Sequence, residues 1–165
     1  MVFELHRRHG TPGDGIITLI DIFIGLPERI ARYFVWVGPL LARLVVGWSF
    51  LWSGWWKLNN LQSFTTDFGK WGIIYPEVLA PFVAGLEFVG GILLLLGLFT
   101  RIVAVPLAVV MIVATVVDKG KDLDSLAAYT DLIETVYLAV FIWFTVAGAG
   151  AVSLDHLLLR WRATR

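Results

Sequence analysis

Four stretches of the chain hold apolar residues long enough to cross a membrane: about Pro39–Leu58, Pro76–Leu98, Ile102–Val117 and Leu132–Gly150. A span takes roughly 17–25 mostly apolar residues. The second stretch is the clearest. The third is short, contains Pro106, and borrows Thr100, Arg101 and Asp118 as interfacial ends. Pro39 and Pro76 stand in first turns, where a missing N–H costs little. The pattern predicts an all-α integral membrane four-helix bundle. It shows no internal repeat and no low-complexity tract.

Residues 14–37 have a different pattern. Ile16, Ile20, Phe23, Ile30 and Phe34 recur at helical spacing, opposite a face of Thr18, Asp21, Gly25, Glu28, Arg29 and Arg32. Asp14 is a candidate N-cap, and Pro27 breaks or kinks the run. Such a helix is expected to lie in the membrane interface. A fifth span is the rival reading, and it would place four charges in the bilayer at roughly 2.5–3.5 kcal/mol each. The chain then divides into a flexible N-terminus over 1–13, an amphipathic helix over 14–37, a four-span domain over 38–155 and a basic tail over 156–165.

Composition agrees with a lipid-facing protein. Hydrophobic residues make up 58% and charged residues 16%, against about 25% charged in a soluble domain. A soluble fold of this size could not cover so much apolar surface. The formal net charge of +0 gives no reason to expect nucleic acid as a partner. The cysteine count of 0 removes thiol exchange and thiolate ligands. The first residues do not read as a signal peptide, because Gly10, Pro12, Gly13, Asp14 and Gly15 interrupt the segment after Arg7 and Arg8.

Charge in the short loops sets the expected orientation. One face collects Arg7, Arg8, Arg29, Arg32, Arg101, Arg160, Arg162 and Arg165; the other has Lys57, Lys70, Lys119 and Lys121 beside several carboxylates. The arginine-rich face is expected to be cytoplasmic. With four spans, both termini then lie on the cytoplasmic side of a bacterial inner membrane.

Three ionisable residues fall inside the spans: Arg43, Glu87 and Glu134. In the first span Arg43, Gly47, Phe50, Gly54 and Lys57 line one face; in the second Ala80, Ala84, Glu87 and Gly91 do. Small residues allow close approach in lipid, so these two faces are expected to meet, with Ser49 and Ser53 near the depth of Glu87. A lone charged Glu87 in mid-bilayer costs a few kcal/mol or more, and one opposite charge at about 4 Å returns about 4 kcal/mol. Glu87 is therefore expected to be paired or protonated. It is either a clamp between helices or a proton-handling carboxyl. Arg43, Lys57 and Arg101 are the candidate charge partners, although Arg43 sits lower by roughly 10 Å of helix rise. For Arg43 and Glu134, near an interface, snorkelling or hydration is the simpler expectation, and for Lys57, at the outer boundary, a snorkelling anchor is.

Trp55, Trp56 and Trp71 fit an interfacial aromatic belt. Trp48 and Trp52 lie deeper and, with Ser49 and Ser53, are candidates to line a pocket for a flat aromatic ligand. Phe64, Phe68 and Trp71 suggest a surface-lying or re-entrant segment, a lid or simply a packed loop. His6, His9 and His156 all lie outside the spans, so no intramembrane haem is predicted; His6 and His9, one helical turn apart, offer a weak metal site, but a flexible terminus is the simpler expectation and no metal is predicted. No phosphate loop, nucleophile elbow or other self-contained catalytic motif is present.

Three groups of residues together resemble the DoxX/DoxD family of small membrane proteins. They are Arg43, Gly47, Ser53-Gly54 and Lys57; then Glu87, Gly90-Gly91, Leu96-Gly97 and Thr100-Arg101; then Gly148-Ala149-Gly150 and Ser153-Leu154-Asp155. Their order covers about Pro39–Asp155. Ala149 stands where the family usually has proline. The resemblance implies a four-helix membrane fold and a link to redox chemistry, since DoxD-type members belong to thiosulfate:quinone oxidoreductase and other relatives sit in thiol or oxidative-stress systems or beside peptide-maturation machinery. The expected function is a quinone-interacting subunit of a membrane redox system, with quinone as cofactor, a redox protein as partner and Glu87 carrying a proton. The alternative is a non-catalytic scaffold or small-solute transporter that docks a partner protein. Small-residue faces would also suit a homo-oligomer.

Overall fold

A computed structural model describes residue 23, residues 31–119 and residues 133–164 of the chain. The chain divides into two compact units, Met1–Val35 and Trp36–Arg165. Of the first unit only Phe23 and residues 31–35 are described, with 31–34 helical. Most of the amphipathic segment expected over 14–37, together with His6, His9 and the loop carrying Lys121, Asp122, Asp124 and Asp131, lies outside the described residues.

The second unit contains six described α-helices: α1 (Val37–Asn59), α2 (Leu61–Lys70), α3 (Pro76–Leu96), α4 (Thr100–Ala114), α5 (Ile133–Ala147) and α6 (Leu154–Ala163). A π-helical turn, Thr115–Lys119, extends α4. The helix containing α1, α3, and α4 with its extension are long and apolar enough to cross a membrane. The described part of α5 is a shorter apolar helix. The fold is an all-α membrane bundle.

The ends of the helices follow from backbone chemistry. Gly97 (φ 65°) closes α3 in the left-handed conformation, with its N–H donating to the Leu94 carbonyl, so the helix ends at Leu96, two residues before the expected Leu98. Gly148 (φ 81°) and Gly150 (φ 79°) turn the chain out of α5 at Ala147, short of the expected Gly150. Pro76 opens α3 at its first position. Pro81 and Pro106 lie inside α3 and α4, as membrane helices tolerate.

α1 and α3 run antiparallel with their backbones in contact. A Cβ added at Gly91 would lie 2.4 Å from the Leu51 nitrogen, and one at Gly54 would lie 2.3 Å from the Phe88 nitrogen. Glycine at these positions replaces side-chain packing with direct helix apposition, the standard means of holding helices together in lipid. The main core joins α1, α3, α4 and α5 through Val46, Phe50, Leu94, Leu107, Phe141 and Phe144. Phe50 meets the rings of Tyr137 and Phe141 edge-on at 5.2 and 5.0 Å, a favoured aromatic geometry. A smaller cluster of Phe64, Phe68, Ala80 and Ala84 seats α2 against α3.

The end of the bundle holding Arg43 is knitted by polar groups. Arg43, only 2% exposed, donates from Nη1 to the Ala149 carbonyl (3.0 Å) and from Nη2 to the Val152 carbonyl (2.7 Å). A Cβ at Gly97 would overlap Arg43 Nη1, so Gly97 is required by space as well as by φ. The Asp155 carboxylate accepts from the N–H groups of Phe99 (2.8 Å) and Thr100 (3.1 Å) at the start of α4. That holds Phe99 in its left-handed backbone (φ 52°), a strained conformation for a bulky residue. Asp155→Ala is expected to lower stability by about 0.5–2 kcal/mol, the cost of a lost cap. Thermal unfolding in detergent checks this, and Asp67→Ala, which loses only a surface pair with the exposed Lys70, should change little.

Candidate functional site

Lys57 lies one turn beyond the Gly54–Phe88 crossing, and its long side chain reaches Glu87 on the facing helix. Nζ is 2.6 Å from both carboxylate oxygens of Glu87. The Ser53 hydroxyl donates to Oε2 at 2.8 Å. Glu87 is 1% exposed, and its carboxyl oxygens are met by one ammonium and one hydroxyl. Such charge-assisted bonds are short and strong. The Lys57 ammonium also stands 5.0 Å from the centre of the Phe64 ring, a cation–π contact that ties α2 to the same group.

This polar corner opens onto a cavity of about 790 Å³. α1 contributes Ser49 and Phe50, α2 contributes Phe64 and Phe68, and α3 contributes Phe82 and Leu86. The far wall is Pro106, Val110 and Ala114 of α4 with Glu134 and Tyr137 of α5. The volume falls in the usual range of about 300–1,000 Å³ for a small-molecule site. Its walls are mostly apolar, with Lys57, Glu87, Ser49, Ser53, Glu134 and Tyr137 as the polar lining.

Of the expected site residues, Glu87, Lys57, Ser53 and Ser49 come together here, although the Ser49 hydroxyl is turned to the Val45 carbonyl at 3.0 Å. Arg43 and Arg101 do not reach Glu87. Arg43 is committed to the carbonyls of Ala149 and Val152. Arg101 lies against Gly148, where an added Cβ would come 2.9 Å from its Nε. The physical reason is the antiparallel crossing, which brings the Lys57 end of α1 to Glu87 and carries the Arg43 end to the α3–α4 turn. Trp48 and Trp52 are 61% and 62% exposed and are not among the cavity residues; they face outward, as lipid-facing aromatics do.

Sequence reasoning did not place Glu134 and Tyr137 in this cavity. Their spacing of three residues, which sets both on one side of α5, is the signal that was available. The segment with Phe64, Phe68 and Trp71 is a short amphipathic helix whose aromatic face covers the cavity at the Lys57 end.

Residues 38–119 match the DoxX family model. A Haemophilus influenzae protein described as uncharacterized is 37% identical over 134 residues, covering 78% of this chain and 93% of its own length. The Bacillus subtilis protein "Putative oxidoreductase CatD" is 30% identical over 126 residues, covering 75% of this chain and 89% of its own. The chain belongs to the DoxX family. The inner membrane protein YqjF of Escherichia coli is 26% identical over 122 residues, covering 74% of this chain and 92% of its own. No solved structure gives a significant match. In this DoxX protein the matched region spans α1 to the end of the π-helical turn, so it includes both Lys57 and Glu87 and, beside them, α2. Helices α5 and α6 follow it. The protein is a multi-pass membrane protein in contact with the lipid bilayer.

Proposed function

We propose that this DoxX protein is a quinone-interacting subunit of a membrane redox system, with both termini on the cytoplasmic side of a bacterial inner membrane. The observation that carries the reading is the cavity of about 790 Å³ with the Lys57–Glu87–Ser53 corner in its wall. A quinone is a flat ring with carbonyl oxygens and an apolar tail. The cavity offers it donors at one corner and apolar walls elsewhere, as small-molecule sites do. The names of CatD and YqjF, as an oxidoreductase and an inner membrane protein, agree with the reading.

Lys57 and the apolar walls would hold a quinone there, and the quinone would supply two-electron, two-proton acceptor chemistry. The electrons come from a redox partner protein of a sulfur, thiol or stress-related system. Lys57 orients a carbonyl oxygen with the N–H that it does not give to Glu87, while Ser53, whose one hydroxyl hydrogen goes to Glu87, fixes the carboxyl group. Glu87 accepts a proton at a carboxylate oxygen that a shift of Lys57 frees, and passes it on. Lys57 keeps the corner electrically balanced while that proton moves. Phe64 and Phe68 restrict water entry from the Lys57 end.

A second reading has one specific observation in its favour: both Glu87 oxygens already accept short bonds from Lys57. Glu87 is then a clamp in a non-catalytic scaffold or small-solute transporter. Photolabelling with an azidoquinone, followed by peptide mapping, separates the two. Adducts are expected on residues 49–64 and 82–87, competed by excess quinone. Labelling confined to outward residues such as Trp48 and Trp52, without competition, would count against a quinone site.

A further inference from the structure

α6 presents an apolar stripe to the outside of the bundle. Leu154, Leu157 and Leu158 recur at helical spacing and are 38%, 62% and 47% exposed. Trp161, 54% exposed, continues the stripe one turn on. On a helical projection Arg160 and Arg162 flank this stripe on its two sides. Leu159 falls outside it.

The start of α6 is fixed in depth. The Asp155 N–H donates to the Gly97 carbonyl (3.0 Å), and the Asp155 carboxylate caps the first amides of α4. Ser153 caps α6 itself, its hydroxyl accepting from the His156 N–H at 3.2 Å. The first turn of α6 is therefore bonded to the α3–α4 turn, where one membrane-spanning helix ends and the next begins. A leucine stripe held at that depth is placed at the boundary between hydrocarbon and headgroups.

We propose that α6 is an interfacial anchor whose leucine stripe lies in an anionic lipid surface. Arg160 and Arg162 recognise phosphate-bearing headgroups on either side of the stripe. An amphipathic helix of this kind binds through buried apolar area and attraction to anionic lipid. The charge pattern selects a lipid surface over a second copy of the chain, since a copy would set the same arginines against each other about a two-fold axis.

The absence of cysteine makes the test direct, because each introduced cysteine takes one spin label. Leu157→Cys and Leu158→Cys report the stripe; His156→Cys and Ala163→Cys report the opposite side. The full chain is placed in phosphatidylcholine nanodiscs with and without phosphatidylglycerol. Labels at 157 and 158 are expected to collide with oxygen several-fold more than with a water-soluble nickel reagent, and labels at 156 and 163 the reverse. Phosphatidylglycerol should deepen the stripe labels, and Arg160→Gln with Arg162→Gln should abolish that deepening. Equal nickel access at all four sites would overturn the proposal in favour of a helix awaiting a soluble partner. Dipolar broadening between labels would overturn it in favour of a second copy, and indifference to phosphatidylglycerol would remove the anionic lipid.

Discussion

Lys57→Met is expected to destabilise the protein by about 3–5 kcal/mol, while Glu87→Gln costs only about 1–3 kcal/mol. The asymmetry comes from burial. Glu87 is 1% exposed and cannot follow a lost partner to water, whereas the Lys57 side chain is 22% exposed and retains the Phe64 ring. Removing the ammonium leaves a carboxylate that must stay charged in an apolar site or take up a proton. Removing the carboxylate leaves an ammonium that can turn to the outside. Combining Lys57→Met with Glu87→Leu should recover most of the loss, since neither charge then remains buried. Thermal unfolding in a mild detergent, followed by size-exclusion chromatography, measures all three. If Lys57→Met were tolerated as well as Glu87→Gln, the carboxylate would not be as enclosed as the geometry makes it.

Gly91→Ala is expected to be more damaging than its single methyl suggests, on the order of 3 kcal/mol or more, the upper end for overpacking. Its Cβ would meet the Leu51 backbone nitrogen at 2.4 Å and the Gly47 carbonyl at 2.8 Å. Both belong to helix backbone, so relief requires α1 and α3 to separate. Separation also pulls Lys57 and Ser53 from Glu87. Gly85→Ala is the matched control. Nothing lies within 4 Å of its added Cβ, and alanine gains about 1 kcal/mol in a helix interior over glycine. Gly90→Ala falls between, since its neighbour is the flexible end of the Leu107 side chain at 3.0 Å. Equal melting temperatures for the Gly91 and Gly85 variants would contradict the backbone contact.

The bundle was legible because spans announce themselves by length and apolarity, and because small residues at steps of three and four mark a contact face. That reasoning brought the Gly47–Gly54 face of α1 to the Gly91 face of α3 and put Ser53 beside Glu87. It left the cation open. Arg43 and Lys57 share a stripe, and which one meets Glu87 depends on where antiparallel helices cross, a three-dimensional quantity without a sequence signature. The role of Arg43 was hidden for a related reason: its acceptors are the carbonyls of Ala149 and Val152, and every residue carries a carbonyl. Trp48 and Trp52 were ambiguous because an aromatic ring suits a pocket and a lipid boundary equally well. Pro106 and Val110 became cavity walls only once α4 was set opposite α1.

The most direct measurement is the quinone content of an organic-solvent extract of the purified full-length protein. Wild type is compared with Val110→Phe, which adds bulk to the α4 wall of the cavity and leaves the Lys57–Glu87 pair in place. A quinone-binding DoxX protein should yield about one quinone per chain, lost in a Val110→Phe variant that still folds. Folded wild type with no quinone, or the same amount in both proteins as lipid carry-over would give, would contradict a quinone site in this cavity.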